Sequence, residues 1–214
     1  YSTLRIFLVL TLIYGLTLVQ MDIKTAFLYG VLEELIYILP PLGVAVPDGM
    51  VLRLRKSLYG LKQAPRVWNE NIHRALTALG GDNSQYDECL YVFRVGQDLA
   101  LLNLFVDDIL LAFKGVKLGD KIVNSLKASY EVVDMGTPTF CLGMGFGVTD
   151  SSIQLNQKAS VDKFLRRFGM DDCKPTQLPM SVSFEMNVRD PATEPLCTEP
   201  YRAAVGCLLY LSQC

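Results

Sequence analysis

Apolar positions along this chain switch between two periods, and the switches mark its elements. Residues 18–24 (LVQMDIK) read as a strand carrying an acid near its end. Residues 37–49 hold Pro40, Pro41, Gly43, Pro47 and Gly49, the composition of a loop. A short basic strand over Val51–Lys56 follows. Trp68, Ile72, Ala75, Leu76 and Leu79 then recur at i, i+4, i+7, i+8 and i+11, which predicts one apolar helical stripe. Pro65 is tolerated in its first turn, and Gly80-Gly81 ends it. Arg66, Asn69, Glu70 and His73 fall largely off that stripe. Residues 99–113 (LALLNLFVDDILLAF) are two apolar runs joined by an aspartate pair, the pattern of a β-hairpin turning at or beside the acids. A second helix is expected over 120–130, with Asp120 as N-cap and Ile122, Val123, Leu126 and Tyr130 inward. A third, over 158–168, should bury Val161, Phe164, Leu165 and Phe168, with Gly169 closing it.

The first apolar run, residues 6–19, has the look of a membrane span or leader. It is short of the ~20 residues a span needs, and Thr11, Tyr14, Gly15 and Thr17 interrupt it. A buried helix leading into the first strand accounts for it better. Residues 185–200 are polar with three prolines and read as a linker, and residues 201–214 as the start of a further apolar helix. Strands and helices do not alternate strictly. The expected class is therefore α+β, an antiparallel sheet with helices packed on one face.

Composition adds limits. The 214 residues are 50% hydrophobic and 20% charged, which supports a buried core and excludes disorder as a description of the whole chain. The net charge of -2 is ordinary, and a mild point against an autonomous nucleic-acid binder. Its distribution matters more: residues 51–75 carry Arg53, Arg55, Lys56, Lys62, Arg66 and Arg74 against Glu70. The six cysteines form no CxxC pair, and His73 is the one histidine, so no structural zinc site is expected. Scattered reduced thiols in an intracellular protein are the simpler reading.

Asp107 and Asp108 lie among Phe105, Val106, Ile109 and Leu110. Burying adjacent carboxylates there is costly unless something compensates, and each raises the pKa of the other. Divalent cations would remove both problems. On the pair alone, a solvated turn is the simpler reading. A third acid, Asp22, lies near the end of another apolar strand and is followed by Ala26-Phe27 in the spacing D-x-x-x-A-F. Two hairpin acids and a strand-end acid suit a two-metal phosphoryl-transfer site, provided a sheet makes the strands neighbours.

Three segments, QMDIKTAFLYG (20–30), LRKSLYGLKQAPRVW (54–68) and NLFVDDILLAF (103–113), resemble the core motifs of copia-type retrotransposon reverse transcriptases. DECLYVF (87–93), VVDMG (132–136), FGMDDCKP (168–175) and PYRAAVGCLLYL (200–211) stand in the family's order, so the resemblance covers nearly the whole chain. It implies a polymerase palm with partial fingers and a thumb-like region over 1–184, a linker over 185–200, and the start of a downstream segment over 201–214. It also implies an RNA-directed DNA polymerase that adds deoxynucleotides to a primer 3′ end.

By resemblance, Asp22 and Asp107 would bind two magnesium ions, with manganese an alternative, and Asp108 would complete the set. Phe27 would sit under the incoming sugar and clash with a 2′-hydroxyl; its plain alternative is core packing. Tyr59, Gly60, Lys62 and Gln63 would touch nucleotide and template. Gly60 permits close backbone approach, and Lys62 with Arg53, Arg55 and Lys56 would attract phosphates or form a solvated face. Leu142, Gly143 and Met144 resemble the turn that grips the primer end. Trp68 reads as core. Implied partners are an RNA or DNA template with primer, deoxynucleoside triphosphates, and the ribonuclease H, integrase and protease regions of a parent polyprotein; no membrane is implied. The sequence leaves the compartment open; if expressed, such a protein would be intracellular, in a cytoplasmic particle or the nucleus.

Some residues depart from the family. Aromatics usual near Gly81 and Cys141 are missing, and Leu35, Leu39 and Leu42 replace polar or small residues. The family's fingers, with basic residues that hold the triphosphate, would precede residue 1, and a ribonuclease H domain would follow residue 214. The competing reading is therefore a catalytically inactive, transposon-derived fragment with weak nucleic-acid binding through residues 51–75. A two-metal nuclease would leave the motif at 54–68 unexplained.

Overall fold

The computed structural model describes residues 1–180 and 200–214. In chain order the elements are α1 (Ser2–Ile13), β1 (Thr17–Ile23), a 3₁₀ turn (Ala26–Tyr29), β2 (Val31–Ile38), β3 (Leu52–Lys56), α2 (Ala64–Ala78), β4 (Asp82–Asn83), β5 (Leu90–Val95), β6 (Asp98–Phe105) and β7 (Asp108–Lys114). There follow α3 (Val116–Ser129), β8 (Val132–Gly136), β9 (Phe140–Cys141), β10 (Met144–Val148), β11 (Ile153–Asn156), α4 (Lys158–Arg167) and α5 (Tyr201–Gln213). The expected linker lies outside the described residues except for Pro200.

The class is α+β. A six-stranded sheet runs β4-β5-β6-β7-β1-β8, and its registered pairs are antiparallel. Strands β2 and β3 form a separate antiparallel pair, and β11-β10-β9 form a small third sheet. The chain divides into two compact units. The larger holds Ser2–Thr139 and Gly147–Ile153; the other holds Tyr1, Phe140–Phe146 and the chain from Gln154 onward.

In the larger unit, α2 and α3 bury their stripes against one sheet face. Trp68, Ile72 and Leu76 from α2 meet Leu118, Ile122 and Leu126 from α3 over Met21, Ile23, Leu102, Leu104, Ile109 and Leu111. Each such side chain contributes about 1.5–3 kcal/mol on burial. The expectation that all helices lie on one face fails for α1. Its Leu4, Phe7 and Leu8 are buried outside that cluster, and it packs against β6. The reason is in the strands. Leu101 and Leu110, one residue out of phase with Leu102 and Leu111, are also buried, so the second face needs cover too. α1 is correspondingly one-sided, with Ile6, Val9 and Ile13 exposed. Among the described residues, no helix is long and apolar enough to cross a membrane.

Two helix details differ from expectation. α3 begins at Val116, directly after Gly115, so Asp120 lies inside the helix and caps nothing. α4 has the expected span but no fully buried residue: Phe164, Leu165 and Phe168 are half-buried and Val161 is exposed. Phe164 and Phe168 instead pack against each other, rings tilted by 52° with centroids 5.0 Å apart.

Candidate active site

The antiparallel register of β1 with β7 sets Asp22 directly opposite Asp108. Both side chains therefore leave the same sheet face, the one that α2 and α3 do not cover. Asp107 lies on the turn between β6 and β7, and its carbonyl accepts a hydrogen bond of 2.9 Å from the Ile23 backbone N–H. The strands that sequence spacing alone left apart are neighbours, and the three aspartates converge at one end of the sheet. All three are half-buried.

Their electrostatics follow from that placement. Burial first, then the charge of Asp107, pushes the Asp22 carboxyl above its ordinary value, and Lys24 opposes the shift. The Asp108 carboxyl is also pushed up by burial. A hydrogen bond from the Gln20 amide, 3.3 Å from Asp108 Oδ1, opposes this, while the charges of Asp107 and Asp22 reinforce it. Two facing carboxyls with raised pKa values, Asp22 and Asp108, beside the charge of Asp107 are oxygen donors chemically suited to a hard divalent cation. Among the described residues, however, no three His, Cys, Asp or Glu side chains are gathered closely enough to hold a metal ion. The chemistry of the donor set fits, and the coordination shell is not preformed.

Sequence reasoning passed over two amides behind the acids. Gln20 and Asn103 both lie opposite Leu110, on its two sides, in the row next to the Asp22–Asp108 pair. Both are buried, and neither Asn103 side-chain polar atom has a partner within the protein. Period-2 alternation from Asp22 was the signal that would have found Gln20.

The next group comes together around Phe27. The 3₁₀ turn carries Phe27 against the Tyr59 ring, centroids 4.7 Å apart and tilted by 51°. Tyr59, Gly60 and Lys62 are exposed and Gln63 is half-buried at the entrance to α2. Gly60 has φ +97°, a conformation a side chain would strain, and open space where its Cβ would be. Arg53, Arg55 and Lys56 are exposed on β3. Trp68 is core, as expected, and its indole N–H also donates to the Val106 carbonyl at 2.7 Å.

In the other unit, Leu142 and Gly143 form the two-residue turn between β9 and β10, with φ of 51° and 79°. Met144 opens β10, paired with Cys141. The Tyr210 hydroxyl donates to the Leu142 carbonyl at 2.7 Å, and Ser160 Oγ to the Gly143 carbonyl at 2.8 Å. Among the described residues, the non-glycine residues with positive φ are Thr25, Val106 and Leu142. Each falls beside a motif singled out in the sequence, and strain of this kind concentrates at functional sites.

Residues 1–182 match the family model "Reverse transcriptase (RNA-dependent DNA polymerase)". The chain is 34% identical, over its full length, to 17% of the retrovirus-related Pol polyprotein from transposon TNT 1-94 of Nicotiana tabacum. Over 90% of its length it is 32% identical to 13% each of the Pol polyproteins from transposons RE1 and RE2 of Arabidopsis thaliana. It thus spans under a fifth of those relatives' lengths. With a family model matched over most of the chain and relatives of this kind, the protein belongs to the copia-type reverse transcriptases.

Proposed function

We propose that this chain carries the palm of an RNA-directed DNA polymerase and extends a primer 3′ end with deoxynucleotides on an RNA or DNA template. The supporting observation is the register that puts Asp22 opposite Asp108 with Asp107 on the adjoining turn. On this reading Asp22 and Asp107 hold two magnesium or manganese ions and Asp108 completes the anionic face. Ions held there would supply Lewis acidity toward the primer hydroxyl and positive charge beside the pyrophosphate. Phe27, backed by Tyr59, presents a ring that excludes a 2′-hydroxyl. Lys62, Arg53, Arg55 and Lys56 attract phosphates, and the open backbone at Gly60, with Gln63, meets nucleotide and template. The Leu142–Gly143–Met144 turn grips the primer end. The palm with partial fingers and thumb-like region is assigned to residues 1–184, and α5 (Tyr201–Gln213) lies beyond it in sequence. Ribonuclease H, integrase and protease regions of a Pol polyprotein are its partners.

A second reading, nucleic-acid binding without catalysis, draws on the lack of a preformed three-ligand group among the described residues. Primer extension on an RNA template with magnesium separates the two. The polymerase reading expects extension by this chain that Asp107→Asn abolishes. Equal signals from the two proteins sink it. The binding reading expects no extension, and retention of labelled primer–template that weakens with salt and survives Asp107→Asn.

A further inference from the structure

We infer that Trp68 is a positioning residue: its indole N–H props the Val106 backbone in a left-handed conformation and so sets where Asp107 stands. The inference deepens the polymerase reading and rests on it for its functional consequence, though not for its structural one. Val106 has φ 57°. For a β-branched residue that is a genuine outlier, and something in the surroundings must hold it. Its own side chain does not, being 47% exposed. The contact that holds the residue is the 2.7 Å hydrogen bond from Trp68 to its carbonyl.

The donor is itself buried and closely packed. Trp68 is 2% exposed, and its ring meets Tyr130 edge-on at 5.4 Å and Tyr29 at 6.1 Å. Tyr29 and Tyr130 close the triangle at 5.0 Å. Both tyrosines are pinned in turn. The Tyr130 hydroxyl donates to Asn71 Oδ1 at 2.8 Å, and the Glu131 N–H donates to the Tyr29 hydroxyl at 2.7 Å. An indole offers one N–H donor and no acceptor, and here that donor goes to the Val106 carbonyl. The next carbonyl, that of Asp107, is tied to β1 through Ile23. Successive carbonyls of the turn are therefore fixed to α2 and to the strand of Asp22. This makes the spacing between Asp107 and Asp22 a property of the aromatic triangle as well as of the sheet.

Urea unfolding of four purified proteins tests the inference: the unaltered chain, Trp68→Phe, Val106→Gly and the double variant. Glycine adopts the left-handed conformation without strain. Trp68→Phe should therefore lower the unfolding midpoint clearly more when residue 106 is Val than when it is Gly, a coupling expected only of residues that act on each other. Equal drops in the two backgrounds overturn the inference. If Trp68→Phe fails to fold, the double variant is expected to fold, and its failure also overturns the inference. Manganese titration of the same proteins, with Asp107→Asn beside them, reads the consequence. Loss of the prop should weaken binding about 10-fold, as loss of outer-shell support usually does. Unchanged affinity in Trp68→Phe overturns the positioning role. If the unaltered chain binds manganese no better than Asp107→Asn does, the polymerase reading fails, and the urea cycle still decides the prop.

Discussion

Two hairpin turns in this molecule solve the same problem with different support. At β6–β7 the left-handed residue is Val106; at β9–β10 it is Leu142. Each presents its carbonyl to an aromatic donor at 2.7 Å, Trp68 in one case and Tyr210 in the other. The first turn sits on strands paired continuously from Leu99–Lys114 to Phe105–Asp108. The second sits on strands paired at only two positions, Met144–Cys141 and Gly145–Phe140. It also takes a second side-chain bond, from Ser160 to Gly143. A long ladder lets a turn carry two half-buried carboxylates and one strained valine. A short ladder hands the same task to helices, so the second turn should be much the easier to break.

The largest effect is expected at Gly143. Alanine there would place a Cβ in a left-handed conformation and against the Tyr210 hydroxyl. The conformation alone costs roughly 1–2 kcal/mol, and displacing a bonded tyrosine adds to it. Gly143→Ala should therefore lower the stability of this region by about 2 kcal/mol or more, read as faster amide exchange across β9, β10 and α4. Amides of β6 and β7 should keep their protection. Parallel loss in both hairpins would show that the turns are not independently supported. Tyr210→Phe is the smaller version of the same experiment. It removes one hydrogen bond and keeps the ring, for a loss of about 1 kcal/mol, again confined to β9, β10 and their helices.

The two turns also differ in how far they could be read beforehand. The aspartate pair in an apolar run marked the first as a hairpin, and the stripe from Trp68 to Leu79 marked α2, because period-2 and period-3.6 patterns survive any tertiary context. The neighbourhood of Asp22 and Asp108, on which the candidate site depends, required strand pairing, which spacing does not encode. Trp68 read as core, correctly, while its donor role stayed invisible because a backbone carbonyl leaves no mark in sequence. Asp120 misled because a good N-cap residue also occurs inside helices when tertiary packing, here Leu118 against the sheet, draws the helix start upstream. α4 misled in the other direction: its spacing is amphipathic, yet no residue of it is fully buried. The cover on the second sheet face was legible in principle, since β6 and β7 are apolar at both parities.

The smallest and most discriminating effect is electrostatic. Asp22 and Asp108 have carboxyl groups raised above their ordinary values, chiefly by burial. An unfolded chain returns them to about 3.9. Between that value and the raised one, the folded protein binds more protons than the unfolded chain, so stability falls as pH rises through the window. Below the window the penalty is absent, and above it the penalty is complete. The metal-free chain should thus lose protection along β1, β6 and β7 as pH climbs from acidic to neutral, and Asp108→Asn should lessen that loss. The β9–β10 turn, built from Leu142 and Gly143, carries no carboxylate and should show no matching change. Amide exchange measured across pH on both proteins checks this. Adding magnesium at neutral pH then asks the chemical question directly: if the aspartates hold the ion, protection returns at the first turn and not at the second, and a uniform response at both would trace the acid effect to general charge.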